Sequence, residues 1–237
     1  MQHTRRTWAW AGVLSCLAML AGCGAIQHVP VNDDNSASVA VRASFHRRSA
    51  ETNERYGSGI EVGYESYRAR DTQTLAAGES ISLDGGTVFG PSTLQHEARL
   101  RQGYVTYNHL LRFGPHFQLE PFVGLTRVNL RIRSDPGSGS TLLLLDEWRS
   151  GVLGGVTPRW CFNDWVAIEA RLSYFDTGDW VHGKSYEAAL VLSPVPNVSV
   201  RLGYSERYHD VETLGSGWSS EVNIRARGPL ATLQLNF

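Results

Sequence analysis

Residues 198–205 read VSVRLGYS, and apolar side chains alternate with polar or small ones through the whole segment. In a β-strand, successive side chains point to opposite faces, so Val198, Val200, Leu202 and Tyr204 share one face. At helical spacing the same residues would scatter around the helix. The segment therefore predicts a strand with one apolar and one polar face.

The same period-two pattern recurs along the chain after about residue 36. Nine segments show it, at residues 37–48, 57–69, 97–113, 117–134, 147–161, 166–174, 183–193, 198–205 and 220–237, and a weaker tenth covers residues 72–84. Near Thr126, and again near Gly228 and Pro229, the apolar side chains change parity, which predicts a β-bulge at each place. The pattern predicts an all-β protein.

The composition excludes several classes of protein. The 237 residues include 22 Lys plus Arg and 23 Asp plus Glu, which argues against a nucleic-acid binder that works through bulk charge. After the first 25 residues, no apolar stretch approaches the ~18 residues of a membrane-spanning helix. A transmembrane β-barrel escapes this test, because its lumen-facing residues are polar. No dinucleotide motif, phosphate loop or metal-ligand spacing is present, so we predict no cofactor and no metal.

The N-terminal segment has the organisation of an export signal, in which a basic start precedes an apolar stretch and small residues. Leu20-Ala21-Gly22-Cys23 resembles the bacterial lipobox, which implies that Cys23 is acylated and becomes the mature N-terminus. Cleavage by the ordinary signal peptidase after Ala25 is the alternative. We expect a lipoprotein signal peptide at residues 1–22, a polar tether at 23–36 and the folded part at 37–237.

Tight and longer connectors alternate along the chain. Tight turns at residues 114–116, 162–164 and 194–197 alternate with longer segments, rich in Gly, Ser and Asp, at residues 135–146, 176–182 and 211–219. Outer-membrane β-barrels show this pattern, because short turns face the periplasm and longer loops face outward. A soluble β-sandwich also alternates apolar and polar residues, so the polar face needs a closer look.

The polar face carries acids and bases in similar number, as an enclosed lumen requires, because charges enclosed in a small barrel need partners. These residues are Glu61, Glu65, Glu169, Arg171, Glu187, Arg201, Arg225 and Arg227. Aromatic residues fall mostly near strand ends, where barrels place their interfacial girdles. They are Tyr64, Tyr67, Tyr104, Tyr107, Trp160, Trp165, Tyr174, Phe175, Tyr186 and Tyr204.

The chain ends in ATLQLNF, with Leu233, Leu235 and Phe237 on one face. This resembles the C-terminal assembly signal of bacterial outer-membrane barrels, and residues 59–64 and 167–174 resemble strands of the small OmpA-like barrels. The resemblance implies an antiparallel up-and-down transmembrane β-barrel of eight to ten strands, ten being favoured, with no open pore. Both chain ends are then periplasmic, and the partners are outer-membrane lipid, lipopolysaccharide and the barrel assembly machinery.

We predict a structural or surface-interaction role and no enzymatic activity. Six residues are predicted at the outer rim, namely Asp176, Asp179, His182, His209, Asp210 and Glu212. With Ser205 or Ser219 as nucleophile, they would suit a hydrolase or acyltransferase acting on envelope lipids, or they could bind a divalent cation between lipopolysaccharide phosphates. A lipid-tethered periplasmic β-sandwich is the third possibility. No catalytic residue is assigned.

Overall fold

The computed structural model describes residues 27–48, 55–83, 86–137, 142–178, 181–195, 197–215 and 218–237. The all-β prediction is confirmed, and the described residues contain no helix. The strands are β1 (Gln27–Asp33), β2 (Ser38–Arg48), β3 (Arg55–Leu75), β4 (Ser80–Leu83), β5 (Gly86–Phe89), β6 (Ser92–Phe113), β7 (Phe117–Asp135), β8 (Leu142–Cys161), β9 (Val166–Asp176), β10 (Val181–Val195), β11 (Val198–Gly215) and β12 (Trp218–Asn236).

Ten of these strands form one large sheet, in the order β1-β12-β11-β10-β9-β8-β7-β6-β3-β2. Its pairings are antiparallel except at β12, which pairs in parallel with β1 and, further along, with β2. Because β11 lies along the other edge of β12, this last strand has partners on both edges. The strands β4 and β5 form a separate hairpin.

The ten strands are not the ten that the sequence pattern predicted. Residues 55–75 form the single strand β3, and part of the weak segment 72–84 belongs to the hairpin. The additional strand is instead β1, which lies within the segment assigned to the tether. We call the end of the sheet nearest Phe237 the C-terminal end and the opposite one the far end. Since Gln27 pairs with Ser220, β1 begins at the far end, not at the C-terminal end as expected.

Parts of the segments predicted as long loops are strand. β8 begins at Leu142 and β11 continues to Gly215, so the run of four leucines at residues 142–145 is part of a strand. The register of β12 with β11 runs unbroken through Pro229, and that of β7 with both neighbours runs unbroken through Thr126. The bulge predicted near Thr126 is therefore wrong. Near Gly228 and Pro229 the register of β12 shifts by one residue along its other edge, between the pair Asp33–Ala226 and the pair Ser38–Leu230. What changes at those places is the environment of the side chains.

The part of the sheet towards the far end encloses a hydrophobic core, which we call the upper core. Its residues include Leu94, Leu100, Val128, Leu130, Ile132, Val211, Val222 and Ile224, and Ile81 of the hairpin joins them. Leu130 and Ile132 are fully buried. The upper core resembles the interior of a soluble protein, although it lies within the same strands as the site described below.

The upper core provides a first prediction. Replacing Leu130 with Ala removes a fully buried side chain and should lower the free energy of unfolding by about 2 to 5 kcal/mol. Urea unfolding of the purified protein measures this. The exposed Gln95, on the other face of the neighbouring strand β6, offers the control, because Gln95→Ala should change stability by less than about 0.5 kcal/mol.

Candidate functional site

The two faces of the sheet exchange polarity partway along continuous strands. In β7, the exposed side chains are apolar at Val123 and Leu125, whereas Arg127, Arg131 and Arg133 follow on the same face. The opposite face buries Val128, Leu130 and Ile132 in succession and ends at the buried Ser134. In β12 the exchange occurs near Pro229. Side chains keep alternating across both places, so the exchange reflects a change in what surrounds the sheet.

On the C-terminal side of the exchange, the exposed face is a continuous apolar belt. Its members include Val39, Val41, Phe45, Ile60, Val62, Tyr64, Val105, Tyr107, Val123, Leu125, Val152, Trp160, Ile168, Leu172, Tyr174, Tyr186, Leu190, Leu202, Tyr204, Leu233 and Phe237. Leu125 is 69% exposed and Val123 is 62% exposed. Single exposed apolar residues are ordinary, but a contiguous apolar surface this large marks a contact with lipid or protein.

The buried face behind the belt carries charges. Arg42 lies 3.0 Å from Glu187, Arg171 lies 3.0 Å from Glu61, and Arg159 lies 2.9 Å from Glu169, as nitrogen-to-oxygen distances. Arg201 also pairs with Glu169, and Arg207 lies 3.4 Å from Glu65 and 3.3 Å from Glu187. We call these side chains the interior ion-pair network.

Several of these pairs join strands that are not neighbours in the sheet. Arg42 is on β2 and Glu187 is on β10, while Arg171 is on β9 and Glu61 is on β3. The sheet therefore curls until its buried faces meet. Pairing is a physical requirement there, because an unpaired buried charge costs several kcal/mol.

A layer of rings separates the network from the upper core. Tyr104 and Phe122 lie beside the guanidinium of Arg171, whose central carbon is 4.0 Å from the centre of the Phe122 ring. Gly63 leaves room for Tyr104, since a Cβ atom there would lie 2.2 Å from its ring. The network thus borders two aromatic rings that belong to the hydrophobic cluster of the upper core.

His209 lies on the far side of this layer, beyond the apolar belt. Its Nδ1 is 2.7 Å from the hydroxyl of Tyr67, and its ring packs against Phe175. Burial, reinforced by the nearby cation of Arg207, lowers the pKa of His209 to about 3. Burial likewise lowers the pKa of His96, which lies at the far end. Both imidazoles are therefore neutral at pH 7.

The pKa of His209 predicts a loss of stability in acid. The unfolded chain takes up a proton at its ordinary pKa of 6.5, whereas the folded state resists protonation down to about pH 3. The free energy of unfolding therefore decreases as the pH falls from 6.5 to about 3, by up to about 1.4 kcal/mol per pH unit. Urea unfolding at pH 7.5 and 5.0 should show a smaller loss in His209→Asn than in the parent. His116→Asn, at an exposed position, should leave the parental loss unchanged.

The structure divides the residues predicted for the polar face and the aromatic girdles. Of the predicted charges, those of β3, β9, β10 and β11 are buried, but Arg225 and Arg227 are on the exposed face, where both contact Glu206. Of the predicted girdle, Tyr67, Tyr104 and Phe175 are buried. The sequence pattern misassigned these residues because, beyond the exchange, polar side chains lie on the exposed face and apolar side chains on the buried face.

The predicted rim cluster is brought together only in part. On the exposed face of β9 to β11, His182 Nδ1 lies 3.3 Å from Asp176 Oδ1, and Asp210 is opposite His182 in the register. His182 and Asp210 border a groove of about 320 Å³ that Tyr186 and Tyr208 also line. His209 points to the buried face instead. Asp179 lies outside the described residues, as does the side chain of Glu212.

Of the two serines proposed as nucleophiles, the structure describes the side-chain contacts of Ser205 only. Ser205 contacts Ser38 and Arg207 within the interior network, and Ser219 has no described side chain. A Ser–His contact that the sequence did not reveal joins Ser134 to His96, at 2.6 Å. Both side chains are buried, so a substrate cannot reach the hydroxyl and the contact serves the packing of the far end.

No protein-family model, no curated protein and no solved structure matches this chain. Among the residues that the structure describes, no helix has the length and hydropathy needed to cross a membrane. The same residues contain no group of three or more His, Cys, Asp or Glu side chains arranged to hold a metal ion. The function is therefore argued from the belt, the network and the exchange of polarity.

Proposed function

We propose that this chain is an outer-membrane β-barrel protein without an open pore, which has a structural or surface-interaction role. In this proposal the pairing of β12 with β2 closes the sheet into a barrel of the long strands β2, β3 and β6 to β12. β1 extends the same edge towards the far end, so the first and last strands run parallel, unlike a strictly up-and-down barrel.

The exchange of polarity is the observation that carries the proposal. A soluble protein gains stability by burying its apolar face, yet here the apolar belt is exposed and the ion pairs are enclosed. Lipid around the belt resolves this contradiction, because hydrocarbon then replaces water as the neighbour of the apolar residues. The belt covers residues 117–125 in β7 and 186–195 in β10, close to the 9 to 11 residues of a transmembrane strand. A periplasmic β-sandwich would not explain the buried network.

The filled interior supports the absence of a pore. The interior ion-pair network occupies the part of the sheet behind the belt, and the aromatic layer and upper core lie beyond it. A barrel of this size has an interior just wide enough for its own side chains. Solute diffusion through the protein is therefore not part of the proposed role.

The C-terminal strand supports the orientation. Leu233 and Phe237 lie on the exposed face, and Phe237 stacks on Phe45 with ring centres 5.2 Å apart. We propose that this end is periplasmic and that the far end projects outward. Gln27 then lies on the outer side of the membrane, about 30 Å along the strand from the belt edge at Pro229. The four residues that lead from Cys23 to Gln27 cannot span that distance even when fully extended. This favours cleavage after Ala25 over acylation of Cys23, and the mass of the mature N-terminal peptide decides between them.

A single experiment tests the class of protein. Membranes from cells that express the full chain are washed with alkaline carbonate and then extracted with non-ionic detergent. We expect the protein to need detergent, and to migrate faster in SDS gels before boiling than after it. A protein that is released by carbonate and stays monodisperse without detergent would contradict the proposal.

A further inference from the structure

The exposed faces of β3, β6 and β7 become strongly basic just beyond the belt. All but one of the 22 basic residues in the chain are arginines, and seven of them lie on this surface. We call it the arginine face, and it consists of Arg68, Arg70, Arg99, Arg101, Arg127, Arg131 and Arg133. Glu97 and, at the end of β7, Asp135 are the carboxylates on the same face of these strands.

The strand register places like charges side by side. Arg99 is directly opposite Arg68 on one neighbouring strand and directly opposite Arg131 on the other. Side chains at such positions are about 5 Å apart at their Cβ atoms, and like charges there destabilise a sheet. A row of three arginines across three strands therefore costs stability in the isolated protein.

Carboxylates offset only part of this charge. Glu97 pairs with Arg68 and lies 3.8 Å from Arg70, and Asp146 lies 3.4 Å from Arg131. Among the described residues, Arg99 and Arg101 have no carboxylate partner within 4 Å, and Arg127 instead lies 5.2 Å from the ring of Trp148. The arginine face thus presents guanidinium groups that are free to bind an anion.

The guanidinium groups nearest the belt lie at the level of lipid headgroups, if lipid surrounds the belt. Along β7, Arg127 follows the belt residue Leu125 by two positions, about 7 Å along the strand. Along β6, Arg101 is four positions from the belt residue Val105, about 13 Å along a strand that crosses a bilayer at a tilt. The polar layer of a bilayer is about 5 to 7 Å thick on each side of the hydrocarbon, so both side chains reach it.

We propose that the arginine face binds the phosphoryl groups of anionic lipids in the membrane leaflet on the far side of the belt. The inference rests on the proposed function, because it requires lipid around the belt. A planar guanidinium binds phosphate oxygens through two parallel hydrogen bonds, and it does so better than an ammonium group. Phosphoryl groups bound at Arg101 and Arg127 place negative charge beside the row Arg68, Arg99 and Arg131 and offset part of its repulsion.

The opposite side of the sheet provides a matched control. On β10 to β12, the exposed cations beyond the belt are Lys184, Arg225 and Arg227. Glu206 lies 2.8 Å from Arg225 and 3.4 Å from Arg227, and Asp176 and Asp210 add further acid nearby. This surface offers three removable cations, as many as the triple variant of the arginine face removes, but carboxylates already lie beside them.

The test compares two triple variants of the full-length protein in non-ionic detergent. One is Arg99→Gln, Arg101→Gln and Arg127→Gln, and the other is Lys184→Gln, Arg225→Gln and Arg227→Gln. Native mass spectrometry measures the binding of bisphosphorylated lipid A, of the same glycolipid without phosphates, and of inorganic phosphate. We expect the first variant to bind bisphosphorylated lipid A at least 10-fold more weakly than the parent and the second less than 3-fold more weakly.

The other arms identify the ligand and separate this inference from the proposed function. The glycolipid without phosphates should bind the parent as weakly as it binds the first variant, and inorganic phosphate alone should not compete at millimolar concentration. The first variant should also melt at the same or a higher temperature than the parent in detergent, because it lacks the repulsion. Equal loss of lipid binding in both triple variants, or tight binding of inorganic phosphate, would overturn the inference. A parent protein that needs no detergent would overturn the proposed function instead.

Discussion

Leu190→Arg should lower the free energy of unfolding in lipid vesicles by about 2 to 4 kcal/mol, the cost of an arginine near the middle of a bilayer. Leu190 lies near the centre of the belt and is directly opposite Ile168 and Leu202 on its two neighbouring strands. In the proposed membrane protein, a charge placed there would have only hydrocarbon and apolar side chains as neighbours. Urea titration of the protein folded into vesicles measures the change.

The same substitution beyond the belt distinguishes lipid from water. Thr74 is exposed near the far end of β3, so Thr74→Arg should change stability by less than about 0.5 kcal/mol. If Leu190→Arg were as harmless as Thr74→Arg, the belt would be in contact with water. That result would leave the apolar surface without an explanation and would remove the main support for a membrane protein.

Glu187→Gln should be the most damaging conservative change in the interior. Its carboxylate lies 3.0 Å from Arg42, 3.3 Å from Arg207 and 3.6 Å from Arg201. Removing one partner of a buried ion pair typically costs about 3 to 5 kcal/mol, because the remaining charge is left uncompensated. Here one carboxylate is shared among three guanidinium groups, so we expect a loss at the upper end of that range in urea unfolding.

A surface pair supplies the comparison for Glu187. Glu147 contacts Arg149, but both side chains are about half exposed, so Glu147→Gln should cost less than about 1 kcal/mol. Combining Glu187→Gln with Arg207→Gln should cost less than the sum of the two single changes, since the second change removes one of the stranded cations. Additive costs would mean that the two groups do not interact, and a small cost for Glu187→Gln would mean that water enters the interior.

The period-two alternation predicted most of the strands because it depends only on the geometry of a strand. It also identified Glu61, Glu169 and Glu187 as members of one polar face, and these residues are buried in the interior network. The partners Arg42 and Arg207 were missed. A residue's strand and face can be read from a sequence, but its contact with a strand several positions away in the sheet cannot.

The far part of the sheet escaped prediction for a physical reason. An alternating segment has the same period whether its apolar face points inward or outward. The period therefore does not show that the apolar face changes from exposed to buried near Thr126. If the apolar side chains are assumed to stay on one face along the whole strand, the change of parity predicts a bulge. The segment 135–146 predicted one long loop because it is rich in Gly, Ser and Asp, but β7 ends at Asp135 and β8 already begins at Leu142.

The parallel pairing of β12 with β1 and β2 constrains the order of assembly. The partner of Val39 is Ala231, so the seam joins strands that are 192 residues apart in the sequence. Until residue 237 has been made, β2 has one edge with unpaired amide and carbonyl groups, and nothing nearby in the chain can satisfy them. Contacts this distant in sequence form slowly. That edge therefore stays open to pairing with other chains for longer than the edges whose partners are close in the sequence.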